Sequence, residues 1–299
     1  MSEPATVHLV DASPYVFRAF FSLPDSIRDP EGRPVNAVYG FAGFLVKMVE
    51  IAAPSHLALA FDRSLTTSFR NDFYPGYKAG RELPPPALEA QIDDCLEIGR
   101  AFGAACFIDE RYEADDLIAA LVDRLGERGH GAVIVTSDKD LAQLVSGRVA
   151  LWDFARGERY GPAEVEAKFG VPPERIPDLL ALAGDPVDSI PGVPGVGKKT
   201  AAALLGALGD LESVYRRLEE VPRLQIRGAA SLAAKLAAHR ETAFLSKRLA
   251  TVAPEAPLAG WEASDLDALA YRGADPALLD PLCERLGFGA LRDRIPRRC

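Results

Sequence analysis

The sequence predicts an α/β protein with a mainly parallel sheet flanked by helices, followed by a smaller helical region. Short apolar runs alternate with helix-like segments of about 12 to 18 residues in the first half of the 299-residue chain, an alternation that is typical of parallel sheets. After Gly161 the sequence becomes helical in character, and prolines stand at helix-starting positions. We therefore expect a domain boundary near residue 160, with a sheet domain over 1–160 and a helical region over 161–299.

Five apolar runs are predicted to form the strands, because each is short and is followed by a polar or turn-forming residue. These runs are residues 7–10, 56–61, 104–108, 132–136 and 149–154. The segments between them predict helices over 36–53, 87–102 and 113–128, and a shorter helix follows at 140–145. In the helical region, the prolines at predicted helix starts are Pro162, Pro172, Pro173 and Pro177.

Composition excludes some classes of protein and leaves others open. Hydrophobic residues make up 48% of the chain, enough for a sizeable core, yet no apolar stretch approaches the roughly 20 residues of a membrane span. The formal net charge is −9, so binding to nucleic acid has to be argued from local charge. Four cysteines lack metal-ligand spacing and no signal peptide is apparent, so we expect a soluble, cytoplasmic protein with reduced thiols and an exposed Cys299.

Nine acidic residues stand at the ends of apolar runs or at the start of one predicted helix. They are Asp11, Asp62, Asp138 and Asp140 after strand-like runs, Glu113, Asp115 and Asp116 in a first helical turn, and Asp185 and Asp188 after another apolar segment. Parallel strands end at one edge of a sheet, so these carboxylates would meet there and repel one another unless cations lay among them. Oxygen ligands without Cys or His favour Mg²⁺ or Mn²⁺ over zinc.

Some of these placements also have a purely structural explanation. Acidic side chains in a first helical turn are stabilised by the helix dipole, by roughly 0.3–1 kcal/mol each. Asp138 could likewise cap the helix that is predicted over 140–145. A dipole or a cap accounts for single acids but not for acids from separate stretches at one edge, so the pattern favours a metal site.

The segment 64–86 mixes aromatic and basic residues and is broken by Pro75-Gly76. Such mixing suits single-stranded nucleic acid, because bases stack on rings at about 1–3 kcal/mol each while cations meet the phosphates. A surface loop whose rings pack onto the body explains the composition equally well. Arg18, further upstream, could reach either the acids or a phosphate.

A glycine-rich stretch follows Asp185 and Asp188. Its spacing from Gly192 to Lys198 fits the phosphate-binding pattern GxxxxGK[ST], but Lys199 replaces the Ser or Thr and no strand precedes it, so that interpretation fails. A glycine hairpin between two helices would instead offer N–H groups and a helix start to one nucleic-acid phosphate. Ten Lys or Arg against five Asp or Glu over 192–248 give a local excess of +5. The residues predicted to contact DNA there are Gly192, Gly195, Gly197, Lys198, Lys199 and Thr200.

Several motifs taken together resemble one known family. They are LVDASPYVFRAF, AVYGF, FDRSLTTSFR, GYKAGR, YEADDLIAAL, VTSDKDLAQLV, LLALAGDPVDSIPGVPGVGKKTA and YRGADPALLD. In this order they resemble the bacterial 5′→3′ exonucleases of the flap-endonuclease superfamily, which includes the 5′-nuclease domain of DNA polymerase I. The resemblance spans the whole chain without a polymerase sequence after it, which suggests a stand-alone member. It implies a PIN-like core, a helical arch at about 64–86 and a helix-hairpin-helix region that binds duplex DNA.

The resemblance also implies roles for single residues. One metal ion would be held chiefly by Asp11, Asp62, Glu113 and Asp115 and the other by Asp138, Asp140, Asp185 and Asp188, with Asp116 near either. Arg70, Tyr77, Lys78 and Arg81 align with the arch. There Arg70 and Tyr77 are expected to contact DNA, and Lys78 and Arg81 would bind and orient the scissile phosphate. Carbonyls of 192–197 could hold a K⁺ ion. Ser137, Pro186 and Ser189 depart from the family pattern and affect the geometry of the loops.

The expected function is that of a structure-specific 5′ nuclease, with both 5′→3′ exonuclease and 5′-flap endonuclease activity, acting by two-metal-ion catalysis in DNA replication and repair. Asp115 and Asp116, together with Lys78 and Arg81, are the predicted catalytic residues. The expected partner is DNA with 5′ flaps or 5′ ends, bound by a monomer, with a functional link to a DNA polymerase and a ligase. Two alternatives stay open, a catalytically silent DNA-junction binder and a PIN-type ribonuclease.

Overall fold

A computed structural model describes residues 3–63, 67–226, 228–262 and 265–297. Its strands are β1 Thr6–Asp11, β2 His56–Asp62, β3 Ala105–Asp109, β4 Gly131–Val135, β5 Val149–Asp153 and β6 Glu158–Tyr160. They form one sheet in the order β3-β2-β1-β4-β5-β6, parallel except for the antiparallel pair of β5 and β6. The five predicted strands are confirmed within one residue at each end, whereas the edge strand β6 was not predicted.

The sheet is covered by helices on both faces. The helices of this half are α1 Ser13–Ser22, α2 Asn36–Ala52, α3 Arg70–Phe73, α4 Pro86–Ala101 and α5 Ala114–Glu127, and a 3₁₀ helix spans Asp140–Leu144. Because side chains alternate along a strand, Val7 and Leu9 of β1 face the core built with α5, whereas Val10 faces the core built with α2 and α4. The predicted α/β class is therefore confirmed.

The strand order determines where a crevice opens. Strands β1, β2 and β3 succeed one another in one direction, and the chain then returns to place β4 on the other side of β1. At such a switch point the two flanking connections leave in opposite directions, so a crevice opens at the carboxyl ends of the two central strands. Here that position lies just beyond Asp11 and Val135, the last residues of β1 and β4.

The second half of the chain is mainly helical. Its helices are α6 Pro162–Phe169, α7 Ile176–Ala183, α8 Lys198–Leu208, α9 Leu211–Arg216, α10 Ala229–Ala238, α11 Arg240–Ala250, α12 Pro276–Leu286 and α13 Gly289–Arg292, with 3₁₀ turns at Pro173–Arg175, Leu218–Arg223 and Leu266–Leu269. Prolines stand in the first turns of α6 and α7, as predicted. Helices α12 and α13 return to the sheet domain, where Leu282 and Leu286 join the core beside α2 and α4. The boundary near residue 160 stays a prediction.

The helical arch expected over about 64–86 is not present as a long helix in the part of that segment that is described. Residues 67–85, called the strap below, contain the four-residue helix α3 followed by turns, and residues 64–66 lie outside the described residues. Pro75-Gly76 and the prolines before α4 interrupt a helix here. The strap lies over the carboxyl edge of the sheet and carries the basic residues Lys78 and Arg81.

Two other expectations concern the chain as a whole. Within the described ranges, no helix is both long and apolar enough to cross a membrane. Cys95 and Cys283 are buried free thiols and Cys106 is a partly buried one, whereas Cys299 lies outside the described residues.

A candidate metal and phosphate site at the carboxyl edge of the sheet

Five of the nine predicted acids line one crevice at the switch point. Asp11 and Asp62 end β1 and β2, Glu113 and Asp115 stand at the start of α5, and Asp138 follows β4. They face a cavity of about 610 Å³, together with Lys78 and Arg81 from the strap. The structure therefore brings together carboxylates from four separate stretches of the chain.

The start of α5 is held in place by the same acids. Glu113 is the N-cap residue of α5, and its backbone N–H donates to Asp116 Oδ2 at 3.1 Å. The next N–H, of Ala114, donates to Asp62 Oδ1 at 2.8 Å. Free N–H groups and the helix dipole at this end favour negative charge, so the fold itself stabilises part of the acidic cluster. The dipole explanation is thus partly right, although Asp115 remains directed into the crevice.

The remaining acids of the crevice are crowded enough to shift their protonation. Burial, followed by the nearby carboxylates of Asp62 and Asp138, raises the pKa of Asp11 well above its usual range, although a hydrogen bond of 2.7 Å from Thr136 Oγ1 opposes the shift. Burial and the charges of Asp138 and Asp11 raise the pKa of Asp115 in the same way. Burial also raises the pKa of Asp62. Divalent cations among these oxygens would reverse the repulsion.

The second group of predicted ligands lies beside the first and is partly neutralised by a lysine. Lys139 binds Asp185 and approaches Asp140 Oδ1 at 3.5 Å. Burial and then Asp138 raise the pKa of Asp140 to about 7. Its buried Oδ1 has no hydrogen-bond partner in the part of the chain that is described. An acceptor of this kind fits a cation ligand.

Asp138 combines the two interpretations that the sequence left open. Its Oδ1 accepts the backbone N–H of Asp140, the first residue of the 3₁₀ helix, at 2.8 Å. Its own N–H donates to Thr136 Oγ1 at 2.8 Å. The carboxylate nevertheless lines the crevice, so it both orders the turn and remains available to a ligand.

The strap places two cations at the mouth of the crevice. The Lys78 ammonium binds Glu113, and the Arg81 guanidinium binds Asp188. Lys78 has a φ of +54°, a left-handed conformation that is uncommon for residues with a side chain, and its N–H donates to the Asp188 carbonyl at 3.1 Å. Backbone strain of this kind is retained when the surroundings enforce it, and here it directs the ammonium at the acids.

Two predicted site residues of the strap, Arg70 and Tyr77, lie behind the crevice and do not line it. The buried Arg70 guanidinium donates to both oxygens of Asp116, at 2.7 and 2.8 Å, and to Glu113 at 3.1 Å. Tyr77 is buried and donates its hydroxyl to Glu113 at 2.9 Å. Both side chains are buried and hold Glu113 from behind, and their contact with DNA stays a prediction.

Asp116 is likewise turned away from the crevice. Besides Arg70, its carboxylate accepts N–H groups from Glu113 at 3.1 Å and Ala253 at 2.8 Å, so four hydrogen bonds occupy it. It is fully buried and has no room for a metal ion, unlike its neighbour Asp115. Successive residues on a helix point about 100° apart, which sends one acid into the crevice and the other into the interior.

No ready-made metal shell is present in the described ranges, because no group of three or more His, Cys, Asp or Glu side chains lies close enough together to hold an ion as the side chains stand. The physical reason is that Lys78, Arg81 and Lys139 bind Glu113, Asp188 and Asp185 themselves. The donor chemistry fits a divalent ion, since the cluster consists of carboxylates and burial raises the pKa values of four of them, Asp11, Asp62, Asp115 and Asp140.

The predicted glycine hairpin joins α7 to α8. Gly192 has a φ of +63°, and a Cβ atom there would collide with the backbone of Gly184. Its N–H donates to Ser246 Oγ at 3.0 Å and Gly192 is buried, so this residue shapes the turn. Gly195, Gly197 and the lysines that open α8 are exposed, whereas Thr200 is half-buried. The predicted helix-hairpin-helix arrangement is present.

Some contributors were not predicted, and one predicted residue lies elsewhere. Thr136 and Ser13 hold Asp11 and the backbone of Asp62, and both stand next to a strand end, which is the signal that could have identified them. Phe21 and Val187 form an exposed apolar wall of the crevice. Arg18 is exposed on α1, with its guanidinium 5.8 Å from the Tyr15 ring, and is not among the residues that line the crevice.

An open, mostly parallel sheet with a carboxylate-lined switch point, joined to a helix-hairpin-helix region, defines the class of the PIN-like α/β nucleases. The sequence model described as 5′-3′ exonuclease, N-terminal resolvase-like domain, matches residues 6–170. The model described as 5′-3′ exonuclease, C-terminal SAM fold, matches residues 171–276. The chain belongs to the 5′–3′ exonuclease family, and the resemblance drawn from the motifs is confirmed.

Individual relatives agree with this assignment. The chain is 39% identical over 298 residues to the DNA polymerase I of Rhizobium leguminosarum, an alignment that covers 97% of the chain and 28% of the polymerase. It thus spans less than a third of that relative's length. A structure of the T5 5′-exonuclease with divalent metal ions (zinc) superposes with a TM-score of 0.67 at 19% identity, covering 95% and 98% of the two chains. A bacteriophage T5 flap endonuclease complexed with DNA and metal ions gives 0.66 at 19% identity, covering 96% and 99%.

Proposed function

We propose that this protein is a divalent-metal-dependent, structure-specific 5′ nuclease that hydrolyses DNA phosphodiester bonds at 5′ ends and 5′ flaps. The observation that carries the proposal is the convergence of Asp11, Asp62, Glu113, Asp115 and Asp138 on one crevice beside two strap cations. Such a site has little use in a pure DNA binder, because carboxylates repel phosphates unless metal ions lie between them.

Two divalent ions, Mg²⁺ or Mn²⁺, would supply activation of water and stabilisation of the leaving oxygen when bound. Asp11, Asp62, Glu113 and Asp115 would hold one, and Asp138, Asp140, Asp185 and Asp188 the other. Asp116 is omitted because its carboxylate is fully occupied by hydrogen bonds. The buried Oδ1 of Asp140, which accepts no hydrogen bond in the described part of the chain, supports the second group.

Lys78 and Arg81 would bind the scissile phosphate and offset the charge that develops during hydrolysis. Each of these cations binds a carboxylate in the structure, Glu113 for Lys78 and Asp188 for Arg81. When that carboxylate turns to a metal ion, the cation would become free to bind the phosphate. Arg70 and Tyr77 would keep Glu113 in place from behind. Their role is to position a ligand rather than to touch DNA.

The glycine hairpin would hold the duplex next to the crevice. Exposed N–H groups at the start of α8 suit one phosphate, and Gly195, Gly197, Lys198 and Lys199 surround them. Carbonyls of 192–197 are the proposed K⁺ ligands. The T5 flap endonuclease bound to DNA and metal ions is consistent with a flap substrate. We extend the proposal to a cytoplasmic monomer that acts in replication and repair alongside a DNA polymerase and a ligase.

A 5′-flap DNA labelled at the flap end tests the proposal. We expect cleavage near the junction with Mg²⁺ or Mn²⁺ and none with EDTA, while binding persists in EDTA. Binding without cleavage under every metal condition would identify a junction binder instead. Equal or faster cleavage of a matched RNA flap would identify a ribonuclease. Comparing a flap with a recessed 5′ end then separates endonuclease from exonuclease activity.

A further inference from the structure

The lysines of this protein divide into two groups. The chain has eight, and Lys78, Lys139, Lys168 and Lys247 form ion pairs with acidic residues. The other four form none within the part of the chain that the structure describes: Lys47, Lys198, Lys199 and Lys235. Two of these open α8, and Lys235 lies on α10. In a chain of net charge −9, unpaired lysines that lie close together indicate a surface that attracts anions.

Lys235 comes from a different helix but ends at the hairpin. Leu232 and Leu236 of α10 are buried, which turns Lys235 to the exposed side of that helix. A Cβ atom added at Gly195 would lie 3.1 Å from Lys235 Nζ. The ammonium therefore lies against the tip of the hairpin, 40 residues away from it in sequence.

Several backbone N–H groups beside this ammonium have no acceptor within their own helix. Gly197 is the N-cap residue of α8 and has no side-chain oxygen to accept a hydrogen bond. The first helical N–H that donates to its carbonyl is that of Ala201. The N–H groups of the first helical residues are thus open to an external acceptor. The Cα atoms of Gly195 and Gly197 are at most about 7 Å apart, because they are two residues apart in the chain. Phosphates of one DNA strand follow one another at about 3.4 Å along the helix axis, so this segment can face one or two of them.

We propose that Lys235 is a phosphate-binding residue for the duplex arm of the substrate, completing the site that the hairpin N–H groups and Lys198 begin. This inference rests on the proposed function and assigns to α10 a DNA contact that the hairpin motif does not contain. The contact is electrostatic and independent of base sequence, because an ammonium meeting a phosphate carries no base readout. The single-stranded flap, which would lie at the crevice, is not involved.

The test measures binding of a fluorescein-labelled 20-base-pair duplex by anisotropy in EDTA, from 50 to 300 mM salt, so that no cleavage is required. In Lys235→Gln the slope of log K against log salt should fall by about 0.9, and the affinity should drop about 5- to 10-fold at 0.1 M salt. Lys235→Arg should restore both. Binding of the isolated single strand should change less than twofold.

Lys47→Gln provides the matched control, since Lys47 is also exposed and unpaired in the described part of the chain but lies on α2, whose core is on the opposite face of the sheet. It should leave the slope unchanged. The proposal is overturned if Lys235→Gln keeps the wild-type slope at an unchanged melting temperature, or if Lys47→Gln reduces the slope equally. A wild type that binds duplex but cleaves no flap would refute the proposed function and leave this inference standing.

Discussion

In the proposed function, the crevice and the hairpin recognise the same chemical group, a phosphate, in opposite ways. In the crevice, carboxylates are concentrated and the local cations Lys78, Arg81 and Lys139 are already bound to them. At the hairpin, N–H groups and unpaired lysines lie open to solvent. We therefore expect a phosphate to bind the second surface directly and to enter the first only when metal ions neutralise the acids. Chemistry and affinity should therefore depend on different residues.

Asp115→Asn should have the largest effect. The substitution keeps the shape of the side chain but removes a negative charge that faces the crevice. Charge stabilisation by a bound metal ion is worth several kcal/mol, so we expect single-turnover cleavage of a 5′ flap to fall by at least about 10³-fold. Duplex affinity, measured by anisotropy in EDTA, should stay within about twofold.

The control for this variant is Asp123→Asn, an exposed acid on the same helix α5. It loses the same charge outside the crevice and should cleave at the wild-type rate. Cleavage by Asp115→Asn within tenfold of wild type would remove this residue from the ligand set. A large loss of duplex affinity would instead show that Asp115 contributes to DNA binding as well as to cleavage, which contradicts the proposed separation of the two roles.

Arg70→Met should have the next largest effect, on stability. The Arg70 guanidinium is buried and links the strap to Glu113 and Asp116 and also to the carbonyls of Leu249 and Thr251, at 2.9 and 3.0 Å. Removing one partner of a buried ion pair leaves uncompensated charge, which costs about 3 kcal/mol or more. Urea unfolding of the metal-free protein should show this loss.

Arg111→Met is the comparison for Arg70→Met. Arg111 pairs with Asp72, and both side chains are more than half exposed, at 54% and 60%. Surface pairs contribute only about 0–1 kcal/mol, so the unfolding midpoint should hardly move. If the two variants lose equal stability, the buried contacts of Arg70 are not the rigid support for Glu113 that we infer, and other contacts must position Glu113.

The crevice could be predicted from the sequence because the carboxyl ends of parallel strands lie together at one edge of the sheet. Once five strands were recognised, the alternation of strands and helices placed their carboxyl ends on one edge, and Asp11, Asp62 and Asp138 followed from that geometry. The edge strand β6 escaped prediction because it has three residues, of which Glu158 and Arg159 are exposed, so it shows no apolar pattern.

Long-range pairing explains what the sequence could not predict. Composition made Arg70 a candidate for DNA binding, whereas its guanidinium meets a carbonyl 179 residues away and carboxylates 43 and 46 residues away. The same pairing decides which of two adjacent acids, Asp115 or Asp116, turns inward. Lys235 is a parallel case, because only the fold brings α10 to the hairpin.

Lys199→Gln should have the smallest effect and tests the hairpin side of the comparison. Lys199 is exposed in the first turn of α8 and forms no ion pair in the described ranges. Losing one phosphate contact should lower the salt slope by about 0.9 and raise KM several-fold at 0.1 M salt, while kcat at saturating flap DNA stays within about twofold. Such a split is expected for a residue that binds substrate and transition state equally well. A fall in kcat that matches the fall in kcat/KM would mean that the hairpin helps to place the scissile phosphate, and the two regions would then act as one site.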